Sequence, residues 1–396
     1  MLWHPYTQAA RSPKPLPIVG AEGAYLITED GRRILDGISS WWVSVHGHGH
    51  PRLAAALARQ ARVLDHVLFA GATHPPAVEL AERLTALTGL DRVFYSDNGS
   101  TAVEVALKMA FQYWRNRGER RTRFLALDHA YHGDTVGAMS VSGIPLFRDT
   151  FRDLLFGVDR YRGEIGDDVA GVLVEPMLQG AGGMRVHTTA FLADLAARCR
   201  AAGTLLIADE VLTGFGRTGR MFSCEHAGVS PDILCLAKGL SGVLPFAATL
   251  ATEEIHAAFL GDRARTFFHG HSFTGNPLGC AVAIESLRIF EEEPVLDRAR
   301  AIGARLEAGL APLRGTAEVR GIGAVWAVEL PADGGYLADV GPRMAEAALE
   351  RAVLLRPLGN VLYAMPPYCL TDAEADRLAR VMVEVVREVS DRHVAG

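Results

Sequence analysis

Lysine is scarce in this sequence of 396 residues: of the 40 lysine and arginine side chains, only Lys14, Lys108 and Lys238 are lysine. Arginine remains protonated near neutral pH, whereas a lysine that is removed from water can lose its proton. Any chemistry that requires a neutral side-chain amine therefore has three candidate residues.

Cysteine is also rare, and none of the five cysteines belongs to a C-x-x-C pair. An odd number of cysteines in so long a chain argues against a disulfide framework and indicates a reducing compartment. The first residues, Met1 to Tyr6, contain neither the basic nor the apolar region of a signal peptide. We therefore expect a cytoplasmic protein.

Long apolar runs and an excess of basic charge are both missing. No segment approaches the ~18 consecutive apolar residues of a membrane span, so we expect no membrane partner. The net charge of −6 gives no indication of nucleic-acid binding. With 49% hydrophobic and 22% charged residues, the composition is that of a folded globular protein. The length corresponds to roughly two or three domains.

The N-terminal region predicts an extended arm followed by a hairpin. Four prolines fall within the first 20 residues, which disfavours a helix there. Residues 24–28 and 32–35 are apolar runs on either side of Glu29-Asp30-Gly31, and Asp-Gly between such runs is typical of a β-hairpin.

From residue 90 onward, short apolar strands alternate with helical segments, which predicts an α/β fold with a mostly parallel sheet. The predicted strands are 92–95, 124–127, 171–174, 204–208 and 233–236, and the predicted helices are 99–117 and 189–202. A smaller α+β domain, joined by the N-terminal hairpin, is predicted from long helices in 275–311, an apolar stretch at 321–328, a helix at 341–352, a strand at 353–355 and a helix at 371–391.

Gly214 to Gly219 match G-x-G-x-x-G, the phosphate-binding pattern of dinucleotide folds. That reading requires a strand directly before the motif and a helix directly after it. Asp209 to Leu212 separate the motif from the preceding strand, and residues 220–224 do not open a clear helix. A glycine-rich loop is the favoured interpretation.

The alternating histidines His46, His48 and His50 have the spacing of a metal cluster. Neither a cysteine nor a carboxylate lies close enough in sequence to complete a site. We therefore expect packing or hydrogen bonding to a turn, and no metal.

Ser96 to Thr101 lie between a predicted strand and a predicted helix. Backbone N–H groups at a helix N-terminus bind anions, so Gly99 and Ser100 are candidates for a phosphate site. An N-cap is the alternative role for this segment. Its position at the carboxyl end of a parallel strand favours ligand binding.

Two strand ends carry the residues that suggest catalysis. Asp209 and Glu210 close one apolar strand, and one of these acids should meet a cation, a metal or a cluster of donors. Lys238 closes another strand, where burial would favour the neutral amine of a nucleophile. A snorkelling or ion-paired lysine is the alternative. Lys108 is expected to be solvated on its helix.

Together these parts meet the requirements of pyridoxal phosphate. The cofactor needs an anchored phosphate, here at Gly99 and Ser100, and a carboxylate beside its ring nitrogen, here Asp209. It also needs an amine that condenses with its aldehyde, here Lys238.

The sequence resembles the class III aminotransferases of the fold type I group, over almost the whole chain. The segments that carry the resemblance are Asp209-Glu210-Val211, Gly214 to Gly219, Pro231 to Lys238, Phe273-Thr274-Gly275-Asn276-Pro277 and Ala130-Tyr131-His132-Gly133. The resemblance implies a large domain with a mostly parallel sheet and a smaller α+β domain from the chain ends. The implied parts are an arm and hairpin (1–55), a large cofactor-binding domain (56–300) and a C-terminal small domain (301–396).

Within that family, the sequence is similar to the branch that serves biotin biosynthesis. The similar segments are Trp3 to Thr7, Ser39-Ser40-Trp41-Trp42, Tyr131 to Thr135, Gln179 to Met184, Arg356-Pro357 and Tyr363 to Tyr368. The similarity implies a ping-pong transfer from S-adenosylmethionine to 8-amino-7-oxononanoate, giving 7,8-diaminononanoate, in a homodimer. One alternative is another class III ω-amino acid aminotransferase, using ornithine, acetylornithine or 4-aminobutyrate. A second is the same biotin-pathway reaction with lysine in place of S-adenosylmethionine as the donor. A decarboxylase or aminomutase on the same scaffold, or an inactive dimer, is also conceivable; the presence of both Lys238 and Asp209 argues against the inactive dimer.

The resemblance also implies roles at the cofactor. Lys238 carries the cofactor and transfers the proton, and Asp209 pairs with the pyridine nitrogen. Gly99 and Ser100 hold the phosphate, together with His271 and Ser272 of the partner subunit. The family usually has Pro-Thr where this sequence has His271-Ser272, and residues 239–245 also differ from the usual family sequence.

Further implied roles concern the ring faces and the substrate. Tyr131 covers one face of the cofactor ring, and Val211 packs on the other. The implied substrate contacts are Tyr6, Trp41, Trp42, Tyr131, the backbone of Gly270, Arg356 for the substrate carboxylate, and Tyr363 and Arg217 at the pocket wall. The two tryptophans could instead supply core area, and Arg356 could be a surface arginine.

Overall fold

A computed structural model describes residues 1–394, with side chains described to residue 391. Its strands in chain order are β1 (Ile18–Glu22), β2 (Tyr25–Thr28), β3 (Arg33–Asp36), β4 (Arg92–Ser96), β5 (Arg123–Ala126), β6 (Asp159–Arg160), β7 (Val169–Val174), β8 (Leu178–Gln179), β9 (Arg185–Val186), β10 (Leu205–Asp209), β11 (Ile233–Leu236), β12 (Ala247–Ala251), β13 (Glu318–Ile322), β14 (Val325–Glu329), β15 (Val353–Leu354) and β16 (Val361–Ala364).

The α-helices include the predicted ones and five further helices, two before β4 and three within the large-sheet region. They are α1 (Pro51–Ala61), α2 (Pro75–Thr88), α3 (Gly99–Asn116), α4 (Val136–Val141), α5 (Pro145–Arg148), α6 (Thr189–Ala201), α7 (Glu253–Ala257), α8 (Pro277–Glu292), α9 (Val295–Leu310), α10 (Val340–Glu350) and α11 (Asp372–Val394). Within residues 1–394, every helix is too short or too polar to cross a bilayer.

A seven-stranded sheet forms the centre of the fold, in the order β4-β12-β11-β10-β7-β5-β6. All its pairings are parallel except those of β12, which runs antiparallel to both β11 and β4. Strands β7 and β10 are buried along their whole length, as expected of strands covered on both faces. The predicted mostly parallel sheet is confirmed.

The carboxyl ends of β4, β10 and β11 meet at one edge of this sheet. β10 pairs with β11 in parallel, and β4 runs in the same direction because each of them is antiparallel to β12. Gly99, Asp209 and Lys238 lie at or just beyond these three strand ends. The topology therefore brings the candidate residues to the edge where α/β proteins bind ligands.

The N-terminal hairpin shares a sheet with the C-terminal part of the chain. Strands β2 and β3 are antiparallel, and β3 pairs in parallel with β15 through Leu35 and Val353. A second small sheet, β13-β14-β16, is antiparallel throughout, and Gly323 turns the chain between its first two strands. Side chains of the hairpin and of the three small-sheet strands share one apolar cluster with α9, α10 and α11.

The long helical region after residue 275 contains two helices, α8 and α9, separated at Pro294. Proline cannot continue a helix, so α9 begins directly after it. The predicted domain boundary between residues 300 and 301 falls inside α9, and a division there would cut a continuous helix. The three-part division of the chain otherwise stays a prediction.

Candidate active site

A cavity of 670 Å³ opens at the carboxyl edge of the large sheet. It lies between the start of α3, the segment after β5 and the ends of β10 and β11. Among its lining residues are Asn98, Gly99, Ser100, Tyr131, His132, Glu175, Asp209, Val211, Lys238 and Trp42. Most of the residues predicted to bind a cofactor are therefore assembled in one place by separate elements.

Lys238 lies in this cavity, directly after β11, with its Nζ 4.5 Å from the centre of the Trp42 ring. Burial lowers the pKa of Lys238 from 10.5 to about 8, and nearby Arg217 acts in the same direction. The carboxylates of Asp209 and Glu175 oppose this shift. Lys14 and Lys108, by contrast, are exposed. Of the three lysines, Lys238 is the least exposed and the one that lines the cavity.

Asp209 ends β10 with its carboxylate turned into the cavity wall. Its Oδ2 accepts a hydrogen bond from Nδ1 of His132 at 2.7 Å, and its Oδ1 accepts from the backbone N–H of Val211 at 3.0 Å. Burial lowers the pKa of His132, but the hydrogen bond to Asp209 and the charges of Asp209 and Glu175 outweigh it, so the pKa is raised. Asp209 is thus held by a buried histidine and a backbone N–H group.

Glu210, the next residue, points away from Asp209 into a cluster of donors. Its carboxylate accepts hydrogen bonds from the backbone N–H groups of Ser223 and Cys224 and from the hydroxyl of Thr213. Burial raises the pKa of Glu210 to about 7 despite these donors. The expectation that at least one of the two strand-end acids would meet compensating groups is confirmed for both.

The start of α3 combines an N-cap with a place on the cavity wall. Asn98 caps the helix by accepting a hydrogen bond from the backbone N–H of Thr101 at 3.0 Å, so the N-cap interpretation is correct for this residue. Gly99 and Ser100 nevertheless line the cavity. The positive end of an 18-residue helix therefore faces it.

Close packing explains the glycine at position 99. A Cβ added to Gly99 would lie 2.3 Å from Cγ1 of Val211, far inside van der Waals contact. Ser100, the next residue of the helix, has its Oγ 2.7 Å from Oγ1 of Thr135, and this Oγ accepts a hydrogen bond from the backbone N–H of Thr135. The helix start is thereby fixed against two other segments of the wall.

Tyr131 extends the cavity wall toward the N-terminal arm. Its hydroxyl lies 3.2 Å from that of Tyr6, which in turn donates to Asp134 at 2.5 Å. The ring of Tyr6 packs edge-on against Trp41, with ring centres 5.6 Å apart. The predicted aromatic residues Tyr6, Trp41 and Tyr131 thus form a continuous series of contacts.

A second cavity, of 570 Å³, is lined by Tyr6, Trp41 and Arg356. The Arg356 guanidinium stacks on Trp41 at 4.6 Å from the ring centre, and the side chain is half-buried, not a free surface arginine. Trp41 is 38% exposed, whereas Trp42 is 4% exposed. Trp42 therefore contributes both to the core and to the wall of the cavity that holds Lys238.

Arg217 and Tyr363, which were predicted at the pocket wall, are buried and line neither of the two cavities. Arg217 is buried; it donates to the carbonyls of Pro366 at 2.9 Å and Trp42 at 3.1 Å. The fully buried Tyr363 hydroxyl accepts from Nε1 of Trp42 at 2.9 Å. Arg217 is buried because the carbonyls of Trp42 and of Pro366, which follows β16, converge here and need a buried hydrogen-bond donor.

Gly270, His271 and Ser272 are not brought to the cavity of their own chain. Gly270 and Ser272 are exposed and His271 is half-buried, with its backbone N–H donating to Thr274 Oγ1 at 3.0 Å. The neighbouring Phe268 and Phe273 are 72% and 62% exposed. This part of the chain presents an apolar outer surface beside the residues predicted to serve a partner.

Two buried residues at the site were missed by the sequence analysis, His132 and Glu175. Glu175 follows β7; it accepts from the backbone N–H groups of Tyr131 and Gly180, each at 3.0 Å, and burial raises its pKa to about 7. Both could have been found. His132 lies inside a motif already singled out, and Glu175 follows a predicted strand at its carboxyl end.

Comparison with known sequences gives a consistent result. A family model described as aminotransferase class-III matches residues 6–386. A relative from Synechococcus elongatus is 48% identical, covering 98% of this chain and 99% of the relative, and one from Geobacter sulfurreducens is 42% identical, covering 98% and 96%. Both are named adenosylmethionine-8-amino-7-oxononanoate aminotransferase.

Solved structures of the same fold cover nearly the whole chain. The adenosylmethionine-8-amino-7-oxononanoate aminotransferase of Methanocaldococcus jannaschii has a TM-score of 0.93 and 38% identity, over 98% of this chain and 97% of that one. A PLP-bound amine transaminase from an uncultivated Pseudomonas species has a TM-score of 0.93 and 35% identity, over 98% of both chains. The predicted fold type I architecture is confirmed, and the chain belongs to the class III aminotransferase family.

Proposed function

We propose that this aminotransferase transfers the amino group of S-adenosylmethionine to 8-amino-7-oxononanoate, giving 7,8-diaminononanoate for biotin biosynthesis in a ping-pong reaction. The observation that carries the proposal is the 48% identity, over 98% of the chain, to a relative named for this reaction. The aromatic cavity with a half-buried arginine agrees with it, since one substrate bears an adenosyl group and the other an apolar chain with a carboxylate.

Pyridoxal phosphate is the cofactor, and the residues of the larger cavity fit it. They provide an amine with a lowered pKa at Lys238, a buried carboxylate at Asp209 and the positive end of α3 at Gly99 and Ser100. When bound, the cofactor supplies an electron sink for the charge that develops at the substrate α-carbon. These three groups match its aldehyde, its ring nitrogen and its phosphate.

Lys238 is the proposed general base and acid. Its Nζ would take the proton from the α-carbon of the donor. It would then deliver this proton to the carbon on the cofactor side of the transferred nitrogen. A pKa of about 8 suits this role, because the base must be neutral in a useful fraction at neutral pH and still regain a proton. The ring centre of Trp42 lies 4.5 Å from this Nζ and covers one side of the amine.

Asp209 would pair with the pyridine nitrogen and favour its protonated form. His132 supports this role by holding the carboxylate at 2.7 Å in a fixed orientation. Tyr131 and Val211 stand on the cavity wall, where they would cover the two faces of the ring. Ser100, itself fixed by Thr135, would bind the phosphate together with the backbone of Gly99.

The substrate carboxylate is assigned to Arg356. Stacking on Trp41 at 4.6 Å fixes the plane of the guanidinium at the second cavity, where its fork can receive a carboxylate in two parallel hydrogen bonds. Tyr6, Trp41 and Trp42 would contact the apolar and adenosyl parts of the substrates. Tyr363 and Arg217 would act behind the wall, by supporting Trp42.

We further propose a homodimer with shared active sites. Gly270, His271 and Ser272 stand away from their own cavity, beside Phe268 and Phe273, which are 72% and 62% exposed. A dimer would cover these rings and would place His271 and Ser272 of the partner subunit at the phosphate. Location in the cytoplasm stays a prediction.

The other class III reactions remain the rival assignment, with lysine, ornithine or 4-aminobutyrate as donor. Several transaminases of other types share the fold at TM-scores of 0.91 to 0.92, but at 27–29% identity. The higher identity to relatives named for the biotin-pathway reaction favours the proposed donor and acceptor.

Single half-reactions test the proposal directly. The purified holoenzyme is mixed with S-adenosylmethionine, lysine, ornithine or 4-aminobutyrate, and the absorbance of the lysine-bound cofactor is followed. We expect S-adenosylmethionine to convert it to pyridoxamine phosphate, and 8-amino-7-oxononanoate to restore it. An unchanged spectrum with S-adenosylmethionine, together with conversion by another donor, would reject the assignment.

A further inference from the structure

Four consecutive residues that carry the tryptophan pair lie in the left-handed region of the backbone. The φ angles of Ser39, Ser40, Trp41 and Trp42 are 49°, 45°, 71° and 76°. Residues other than glycine rarely adopt this conformation, and a run of four is more unfavourable still. Such a turn persists only when the surrounding structure holds it in place.

The left-handed turn places two adjacent tryptophans on the walls of two different cavities. Trp42 contacts Lys238 in the larger cavity, with Nζ 4.5 Å from the ring centre. Trp41 stacks on Arg356 in the smaller cavity at 4.6 Å. The conformation of this one turn therefore determines the shape of both walls at once.

A buried carboxylate holds the turn from its N-terminal side. Asp36 is fully buried, and its Oδ2 accepts hydrogen bonds from Ser40 Oγ and from Nε2 of His48, both at 2.8 Å. Its Oδ1 accepts from the backbone N–H of Ile38 at 3.2 Å. Because every bond converges on one carboxylate, the position of Ser40 depends on the Asp36–His48 pair.

The histidine-rich segment places His48 for this contact. Its backbone N–H and carbonyl pair with Gly23 in the N-terminal hairpin at 2.7 and 3.0 Å. Gly47 before it has a φ of 87°, and a Cβ there would lie 2.5 Å from Sγ of Cys369. Gly47 thus allows the close approach of the chain that lets His48 reach Asp36.

The two ends of the turn are held by other contacts. The Ser39 hydroxyl donates to the carbonyl of Met365 at 2.8 Å, and Arg217 donates to the carbonyl of Trp42 at 3.1 Å. These contacts fix the ends of the turn. The Asp36 network fixes its middle, where the two indole rings diverge.

We propose that Asp36, His48 and Ser40 are positioning residues that hold the Ser39–Trp42 turn in its left-handed form and thereby set the selectivity of the substrate pocket. The proposal rests on the proposed function in one respect, that Trp41 and Trp42 contact the substrates. Loosening the turn should weaken binding of large flat or long apolar substrates. It should leave attachment of the cofactor to Lys238 unchanged.

The test compares His48→Ala with His48→Gln, which retains a side-chain N–H donor, and with Asp232→Asn as a matched control. Asp232 is a half-buried carboxylate that accepts from the backbone N–H of Leu206 and lines neither of the two cavities. For each holoenzyme, the cofactor absorbance, the melting temperature, and the KM and kcat for S-adenosylmethionine and for a small amino donor are measured. Ser40→Ala provides a second variant if His48→Ala does not fold.

For His48→Ala, we expect a KM for S-adenosylmethionine raised at least fivefold, with normal cofactor absorbance and a much smaller change for the small donor. His48→Gln should recover most of the loss, and Asp232→Asn should leave both KM values within twofold of wild type. An equal change for both donors, or no change in a folded variant, would overturn the proposal. If the wild type rejects S-adenosylmethionine, the proposed function fails, and the same comparison between a large and a small accepted donor still tests the positioning role.

Discussion

The carboxylate of Asp209 is bonded to His132, whose Nδ1 lies 2.7 Å from Asp209 Oδ2 inside the protein. Two consequences follow from this contact. The carboxylate is held in one orientation beside the cavity, and its negative charge raises the pKa of His132 against the opposing effect of burial. A charge that would act on a ring nitrogen is thus held in place by a second buried residue, His132.

Replacing His132 by leucine should lower kcat by about tenfold or more. A hydrogen bond to a charged group contributes about 1.5–3 kcal/mol, and the variant leaves the buried Asp209 without its main donor. His132→Asn retains an N–H donor near the position of Nδ1 and should lose less. The kcat of both variants is measured by steady-state kinetics. An equal kcat in the two would show that the N–H donor at position 132 has no role.

The same pair predicts a pH-dependent stability. The pKa of His132 is raised above 6.5 in the folded state. The contribution of His132 to the free energy of unfolding is therefore fully present below the unfolded pKa near 6.5. It is lost as the pH rises through the folded pKa. The free energy of unfolding of the wild type should therefore exceed that of His132→Asn most at about pH 6, and the difference should shrink in alkaline solution. Urea titrations at several pH values measure this, and a difference that grows with pH would contradict it.

Lys238 should titrate near pH 8 in cofactor-free protein, far below its ordinary value of 10.5. Burial disfavours the ammonium form, so the free amine should be abundant in mildly alkaline solution. Because the chain has three lysines, labelling of the lysine ε-carbons should give three resonances that can be followed by NMR. Lys238→Ala removes one and so identifies it. A midpoint at or above pH 10 for that resonance would contradict the desolvated site.

The strands that end in charged residues could be predicted from the sequence, whereas one of their neighbours in the sheet could not. Strands β10 and β11 are short apolar runs that stop at Asp209 and Lys238, and local pattern was sufficient to find both. Strand β12, Ala247–Ala251, escaped because it is rich in alanine, which has little β-propensity. Its place between β4 and β11 comes from tertiary pairing and not from its own sequence.

Directions of side chains were harder to predict than positions. The interpretation of the motif at 214–219 as a glycine-rich loop is correct, but the sequence did not show that Arg217 turns inward to the carbonyls of Trp42 and Pro366. The left-handed turn at Ser39–Trp42 was not foreseen either, because local preference opposes it. Contacts made by Asp36 and Met365, the latter more than 300 residues away in sequence, override that preference.

Arg356→Lys should raise the KM for 8-amino-7-oxononanoate about tenfold. Lysine retains the positive charge but loses the planar fork and the stacking on Trp41, so bidentate binding of a carboxylate is lost. Arg33→Lys is the matched control, since Arg33 stacks on Tyr25 at 4.5 Å on an exposed part of the hairpin. If both variants leave the KM unchanged, Arg356 does not bind the carboxylate.

Gly99→Ala should weaken cofactor binding, because the new methyl group would lie 2.3 Å from Val211 Cγ1 and would displace the start of α3. Relief of the clash by a second change, Val211→Ala, should restore part of the affinity. Gly157→Ala is the control, since a Cβ at that exposed position meets nothing within 4 Å. Cofactor titration by absorbance compares them. A double variant as weak as Gly99→Ala would indicate that the clash is not the cause.

A mixture of two inactive variants should recover activity if the sites are shared between subunits. Lys238→Ala removes the amine, and the double variant His271→Ala and Ser272→Ala removes the side chains proposed to reach the phosphate from the partner subunit. In a random mixture of dimers, half are mixed, and each mixed dimer holds one intact site and one doubly altered site. Co-expression should therefore give about one quarter of wild-type activity. A site formed within one chain would give no more than the average of the two parents, and kcat per cofactor in the co-purified mixture distinguishes these results.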